Sequence, residues 1–244
     1  FTYTSGQVSV KDAIHGSNES IISDKKIMSG SETLSHLINN PNPYVNNLKI
    51  ASPTETLLGN TTYDLQSNGS VMDRIIRHSG GQLSAVWTMS AQYAASYTDR
   101  GTGYMYFDGT SWSSMPSARL ESSRCGWPTI LATSTGKEIA IAHTTDYAYF
   151  QMTHRPSVGT GAWTEQIVSS MDSTTGLYAD LVWNRTAVGG SNGETIHMIG
   201  VTAPTGLAGT IYNGLDGALL YYRSTDGGST WDIQDMQLPT LDSA

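Results

Sequence analysis

Four aspartates are candidates by their position in the chain: Asp73, Asp99, Asp146 and Asp180. Two such carboxyls at a set separation could act as the acid and base of glycosidic-bond cleavage. The same side chains also cap turns by accepting backbone N–H groups, and by position alone both roles stay open. Arg74, Arg100, Arg124 and Trp127, with Tyr93, Tyr97, Tyr178 and Tyr212, stand in segments that enter apolar strands or link one strand to the next. Rings beside charged and amide groups suit sugar stacking and hydroxyl recognition, and they equally suit loop packing. Arg74, Asp99, Arg100, Arg124, Trp127 and Asp180 are the ligand-binding candidates.

Other chemistry finds less support. His78, His143, His154 and His197 lie on or beside apolar runs, with no ligand spacing of the His-x-x-x-His kind, so no metal site is expected. No Gly-rich loop follows a strand and opens a helix, so no nucleotide or other cofactor is expected. The single cysteine, Cys125, cannot form an intramolecular disulfide and fits a small buried hydrophobe. The 244 residues carry a net charge of −8 without a basic run, which argues against nucleic acid as a partner. Charged residues make up 14%, below the usual quarter or so, and Gly, Ser, Thr and Asn replace them, a texture of extracellular β-proteins. No apolar run approaches the ~20 residues of a membrane span. The first residues lack the charged start and apolar middle of a signal peptide. Asn18, Asn60, Asn68 and Asn184 head N-glycosylation sequons.

The elements that must position these residues follow a repeat. Residues 1–43 show little β-pattern; they read as a strap or extension, with a possible helical turn over 31–38 stopped by Pro41 and Pro43. Residues 44–244 form the second region, which opens on strand-like segments at Leu48–Ile50 and Thr61–Leu65. From Val71 to Pro239 three units recur at roughly 50-residue spacing. Each opens with an apolar strand, crosses a Gly-containing turn and enters a second strand: Arg74–Arg77 then Leu83–Trp87, Thr129–Ala132 then Glu138–Ala142, Asp180–Trp183 then Thr195–Ile199. Each closes on an aromatic strand and a Gly turn followed by Trp, at Trp112, Trp163 and Trp231. Four short strands per unit is the pattern of a propeller blade.

The last closing turn, Ser224-Thr225-Asp226-Gly227-Gly228-Ser229-Thr230-Trp231, matches the Asp-box, Ser-x-Asp-x-Gly-x-Thr-Trp, at every fixed position. Asp226 can accept turn N–H groups, Gly228 allows a positive φ, and Trp231 can bury its ring. Phe107–Trp112 and Gly161–Trp163 are degenerate copies. The chain thus resembles the Asp-box, sialidase-like β-propellers. In that family the turn joins the third and outer strands on the rim away from the ligand, so the resemblance implies a structural role for Ser224, Asp226, Gly228, Thr230 and Trp231. Thr62–Asn68, Thr98–Tyr104, Arg124–Pro128 and Gly159–Glu165 resemble propeller regions of bacterial surface proteins exported by the type IX secretion system. That resemblance spans about residues 60–239.

The resemblance implies an all-β protein of four-stranded antiparallel blades, here an incomplete ring, and a secreted or cell-surface setting. The expected function is a recognition module for glycan or another surface ligand, carried as type IX secretion cargo. Partners would be that ligand, the secretion machinery or further domains of the same polypeptide. The alternative is a sialidase-like glycoside hydrolase or lyase acting on extracellular polysaccharide. Sialidases place an Arg-Ile-Pro motif at their first arginine; Arg74-Ile75-Ile76 lacks the proline, and no tyrosine, glutamate or aspartate is assignable to their catalytic set. A third reading is a scaffold whose function lies elsewhere. Loops entering the innermost strands, with those between second and third strands, would form the ligand-binding mouth.

Overall fold

The computed structural model describes residues 55–66, 72–94, 96–172 and 175–241. The expected strap, the helical turn at 31–38 and the strand at Leu48–Ile50 lie outside them. Contacts divide the chain into Phe1–Glu55 and Thr56–Ala244, and the second unit holds everything below.

Among the described residues, eleven strands alternate with turns in an all-β architecture. The first sheet holds β1 (Ile75–Arg77), β2 (Leu83–Met89) and β3 (Gly101–Phe107) in that order. The second holds β4 (Cys125–Ala132), β5 (Glu138–Thr144), β6 (Phe150–Arg155) and β7 (Thr164–Val168). The third holds β8 (Leu181–Gly189), β9 (Thr195–Thr202), β10 (Leu219–Ser224) and β11 (Ile233–Gln237). Every pairing is antiparallel between consecutive strands, the meander that short Gly-containing turns impose.

The sheets stack face to face. Ile139, Ile141, Phe150, Met152 and Val168 of the second sheet meet Leu181, Ile196, Met198, Leu220 and Tyr222 of the third in one buried cluster. Val86 and Tyr104 of the first meet Ile130 and Ala140 of the second. β5 is buried along its whole length, because it is covered on both faces. The first strands of the three sheets, β1, β4 and β8, lie near one another: β4 contacts both others, and the Ile130 N–H donates to the Asp73 carbonyl at 2.9 Å.

Two expected elements differ. Thr61–Leu65 is not a strand. It lies along β2 through one backbone bond, Thr62 N–H to the Ser90 carbonyl at 2.9 Å, and mainly through side chains: Gln66 Nε2 donates to the Thr88 carbonyl and Gln66 Oε1 accepts from the Thr88 N–H, both at 2.9 Å. Thr61 Oγ1 accepts from the Ser90 N–H at 3.1 Å. Polar side chains here outcompete a backbone ladder, as Thr and Gln can in turns. The first sheet also lacks a fourth strand among the described residues; after an isolated bridge at Phe107–Trp112 the chain runs on without ladder pairing to β4.

Candidate functional site

The Asp226 turn joins β10 to β11, the third and outermost strands of the last sheet. Ser224 Oγ donates to Asp226 Oδ1 at 2.8 Å and accepts from the Gly228 N–H at 2.8 Å. Asp226 also takes the Thr230 N–H at 2.8 Å and the Thr230 Oγ1–H at 2.6 Å. Burial pushes its carboxyl up, but these bonds outweigh that and hold it below the usual carboxylate range. Gly227 and Gly228 take φ of 66° and 80°, a region only glycine occupies freely. The Trp231 ring meets Tyr222 edge-on at 6.3 Å and packs on the core. Asp108 builds the degenerate copy, accepting the Thr110 and Ser111 N–H groups at 2.7 Å. These turns are cohesive, with every polar group of the aspartate engaged.

At the other end of the sheets, the loops entering β4 and β8 are tied to those between second and third strands. The Cys125 N–H donates to the Arg100 carbonyl at 3.2 Å, Thr145 N–H to Arg124 at 3.0 Å, Leu181 N–H to Tyr147, and Ala203 N–H to Asp180 at 2.8 Å. The ligand-binding candidates from Asp99 to Asp180 gather along this chain of contacts.

Two of them are largely covered: Arg100 is 7% exposed and Trp127 is 9% exposed. The Trp127 ring stacks on His143 at 5.0 Å with 10° between planes. The Arg100 guanidinium sits over the Trp127 ring at 4.8 Å and over Tyr63 at 4.7 Å, and Arg100 Nε donates to the Cys125 carbonyl at 3.1 Å. Tyr63 closes the stack edge-on against Trp127 at 5.6 Å. These side chains build a layered plug, with the Tyr63 ring folded over it. Burial, then the positive charges of Arg100 and Arg185, pushes His143 down to about 3.

Arg124 is half-buried and donates through Nε to the Tyr97 carbonyl at 2.8 Å. Asp99 accepts from Ser90 Oγ at 2.5 Å and the Ala91 N–H at 2.7 Å, pinning the β2–β3 loop. Asp180 is half-buried beside Asp146. Burial first, then the Asp146 charge, raises its carboxyl, against the lowering effect of the Thr210 N–H.

Arg74, just before β1, is half-buried; its Nη2 donates to the Gln66 carbonyl while Nη1 is buried without a hydrogen-bond partner among the described residues. Burial, then the like charge of Arg185 on β8, lowers it to about 10. Arg185 was not among the candidates. Its signal was its place two residues after Trp183, as Thr129 follows Trp127, which puts both on an inner strand.

A buried cluster between the first two sheets also escaped the sequence. Glu138, fully buried, pairs with Arg155 at 2.6 Å and accepts from the Tyr104 hydroxyl at 3.1 Å, from Ser84 Oγ and from the Gly159 N–H at 3.1 Å. Arg155 also lies over the Trp163 ring at 4.4 Å. Burial and the Glu138 charge push the Tyr104 phenol up. Among the described residues no cluster of His, Cys, Asp or Glu is arranged to hold a metal.

Together these observations define an all-β protein of three packed antiparallel sheets with a polar loop end. No family model matches the chain, and no curated protein matches it. Among the described residues no helix is long and apolar enough to cross a membrane.

Proposed function

We propose that the three sheets are successive blades of an Asp-box β-propeller arc, and that the protein is a secreted or cell-surface recognition module for a glycan or similar surface ligand. The blade reading is supported by the meander order, the adjacency of β1, β4 and β8, and the Asp226 turn between third and outer strands. The outer faces of the first and third sheets are then where neighbouring blades would pack, since each blade buries two faces. Type IX export is the setting that the sequence resemblance suggests.

Recognition rests on one observation: among the described residues Arg74 Nη1 is buried without a hydrogen-bond partner, and the positive charge of Arg185 bears on it. A half-buried guanidinium with an unmet donor gains from a charge-assisted bond to an anion. A carboxylate or sulfate on a glycan is the fitting group. A glycan array probed with purified protein should give signals on acidic glycans that fall when Arg74 and Arg185 are both changed to Ala. Acidic glycans bound equally by that variant would remove the site.

A catalytic reading has one specific support, the raised carboxyl of Asp180 beside Asp146, the environment of a general acid. Release of reducing ends from a polysaccharide panel, abolished by Asp180→Asn, would favour it over recognition.

A further inference from the structure

Segment 57–66 runs along the end of β2 as a cover without a ladder. None of its residues is buried. Among the described residues a single backbone bond fastens it, from the Thr62 N–H to the Ser90 carbonyl. Side chains make the other attachments. Thr62 Oγ1 donates to the Gln92 carbonyl at 2.5 Å, Thr61 Oγ1 accepts the Ser90 N–H, and the Gln66 amide takes both backbone groups of Thr88. A segment held by so few bonds, with little apolar burial, belongs to the least stable part of a fold.

What it covers is under-satisfied. Among the described residues six buried side-chain polar atoms lack a hydrogen-bond partner, and three of them belong to residues this segment touches. Arg74 Nη1 is one; the other arm of that guanidinium, Nη2, donates to the Gln66 carbonyl. Trp127 Nε1 is the second, in the ring that Tyr63 meets edge-on. Trp87 Nε1 is the third; a Cβ on Gly59 would fall 2.1 Å from that ring. Buried donors are nearly always paired, and each one left unpaired costs free energy that opening to water recovers. The seam under the cover is thus a place where closing is only weakly favoured.

Tyr63 occupies Arg100. The guanidinium rests over the Tyr63 ring at 4.7 Å and over the Trp127 ring at 4.8 Å. The described residues hold two ion pairs, Glu138–Arg155 and Arg223–Asp232, so no carboxylate there pairs with Arg100. With Tyr63 lifted away, a cation and an indole ring would stand side by side. Arg74 links this place to the anion site. Its guanidinium holds the Gln66 carbonyl at the end of the cover, so an anion drawing on the same group competes with the cover for it.

We propose that segment 57–66 is a displaceable cover that gates the recognition site: it closes over Arg100 and Trp127 while Arg74 holds Gln66, and it opens when an acidic glycan takes Arg74. The proposal rests on the recognition reading above. Hydrogen exchange followed by NMR tests the cover without a ligand. The Thr88 and Ser90 amides are bonded by cover side chains, Gln66 Oε1 and Thr61 Oγ1, so they report its opening. Their protection should be about 10- to 1,000-fold, matching an open form populated at roughly 0.1–10%, and far below that of Ile141 in the buried β5. Protection equal to that of Ile141 overturns the proposal. Calorimetric titration with a hexagalacturonate and with a chondroitin sulfate hexasaccharide tests the gate. The Tyr63→Ala, Gln66→Ala double variant should bind at least one of them about tenfold or more tighter than the unchanged protein does, since apparent affinity scales with the open fraction. Gln66→Ala alone, which leaves every ring in place, should shift binding the same way by a smaller factor. Binding that neither variant alters overturns the gate; if the Arg74→Ala, Arg185→Ala variant still loses it, the recognition reading stands. No binding of either acidic probe by any form overturns both.

Discussion

Trp127 and Trp183 hold the same place in two sheets: each sits in a β-bulge near the start of its strand, with φ of 53° and 54°. Bulky residues seldom take this left-handed region, which costs of order 1–2 kcal/mol. The surroundings hold them there. Trp127 stacks on His143, and the Trp183 N–H donates to His143 Nδ1 at 3.3 Å. One histidine therefore fixes both bulges and joins the second sheet to the third. Trp127→Phe should keep most of the stability. Trp127→Val, β-branched and unable to stack, should lose about 2–4 kcal/mol in urea unfolding. Equal stability of the two variants would contradict the constraint.

His143 also sets a pH dependence. Its folded value is near 3, against 6.5 for the free group. Between these the unfolded chain binds a proton that the folded chain refuses, so stability falls as pH drops from 6.5 toward 3. From pH 7 to 4 the His143 contribution should fall by on the order of 2–3 kcal/mol. His143→Gln should show a visibly shallower decline across that range in denaturant titrations at successive pH values. Parallel curves would argue against a buried neutral imidazole.

Asp226→Ala removes the acceptor of the Ser224 hydroxyl and of both Thr230 bonds. It should lower stability by about 1–3 kcal/mol while leaving the proposed ligand binding unchanged, because the turn joins outer strands. Its folded carboxyl lies below the ordinary range, so this contribution is complete above the unfolded aspartate value and fades as pH falls through the lower folded one. An unaltered melting temperature in the variant would deny the turn its structural role.

Glu138 and Arg155 stand as a buried pair between sheets. Glu138→Ala strands a buried guanidinium and should cost about 3–5 kcal/mol. Replacing both, Glu138→Leu with Arg155→Met, should recover much of that loss, since apolar packing can replace a desolvated pair. A double variant no better than the single one would mean that the hydrogen bonds to Tyr104 and Gly159, rather than the charge pair, carry the joint.

The sequon at Asn184 offers a simpler check. Asn184 is fully buried, and its Nδ2 donates to the Ile141 carbonyl at 3.0 Å. Folded protein secreted from a glycosylating host should therefore carry no glycan there, as peptide mass mapping would reveal.

The sequence by itself determined what depends on near neighbours. Alternating apolar residues between Gly turns specified the strand pairs of each sheet, and Ser224 to Trp231 specified the Asp226 turn, because every partner lies within a few residues. Tertiary structure decided the rest. Arg100 and Trp127 carried the right chemistry for a ligand, yet Tyr63, far back in the chain, covers them. The charge of Arg185 reaches Arg74, and Glu138 meets Ser84, only when sheets stack. Such pairs are separated by 50 residues or more, and no local propensity encodes them. Their meeting is set by which sheet faces are apolar enough to pack, and burial then decides whether a charge faces a ligand or holds the core.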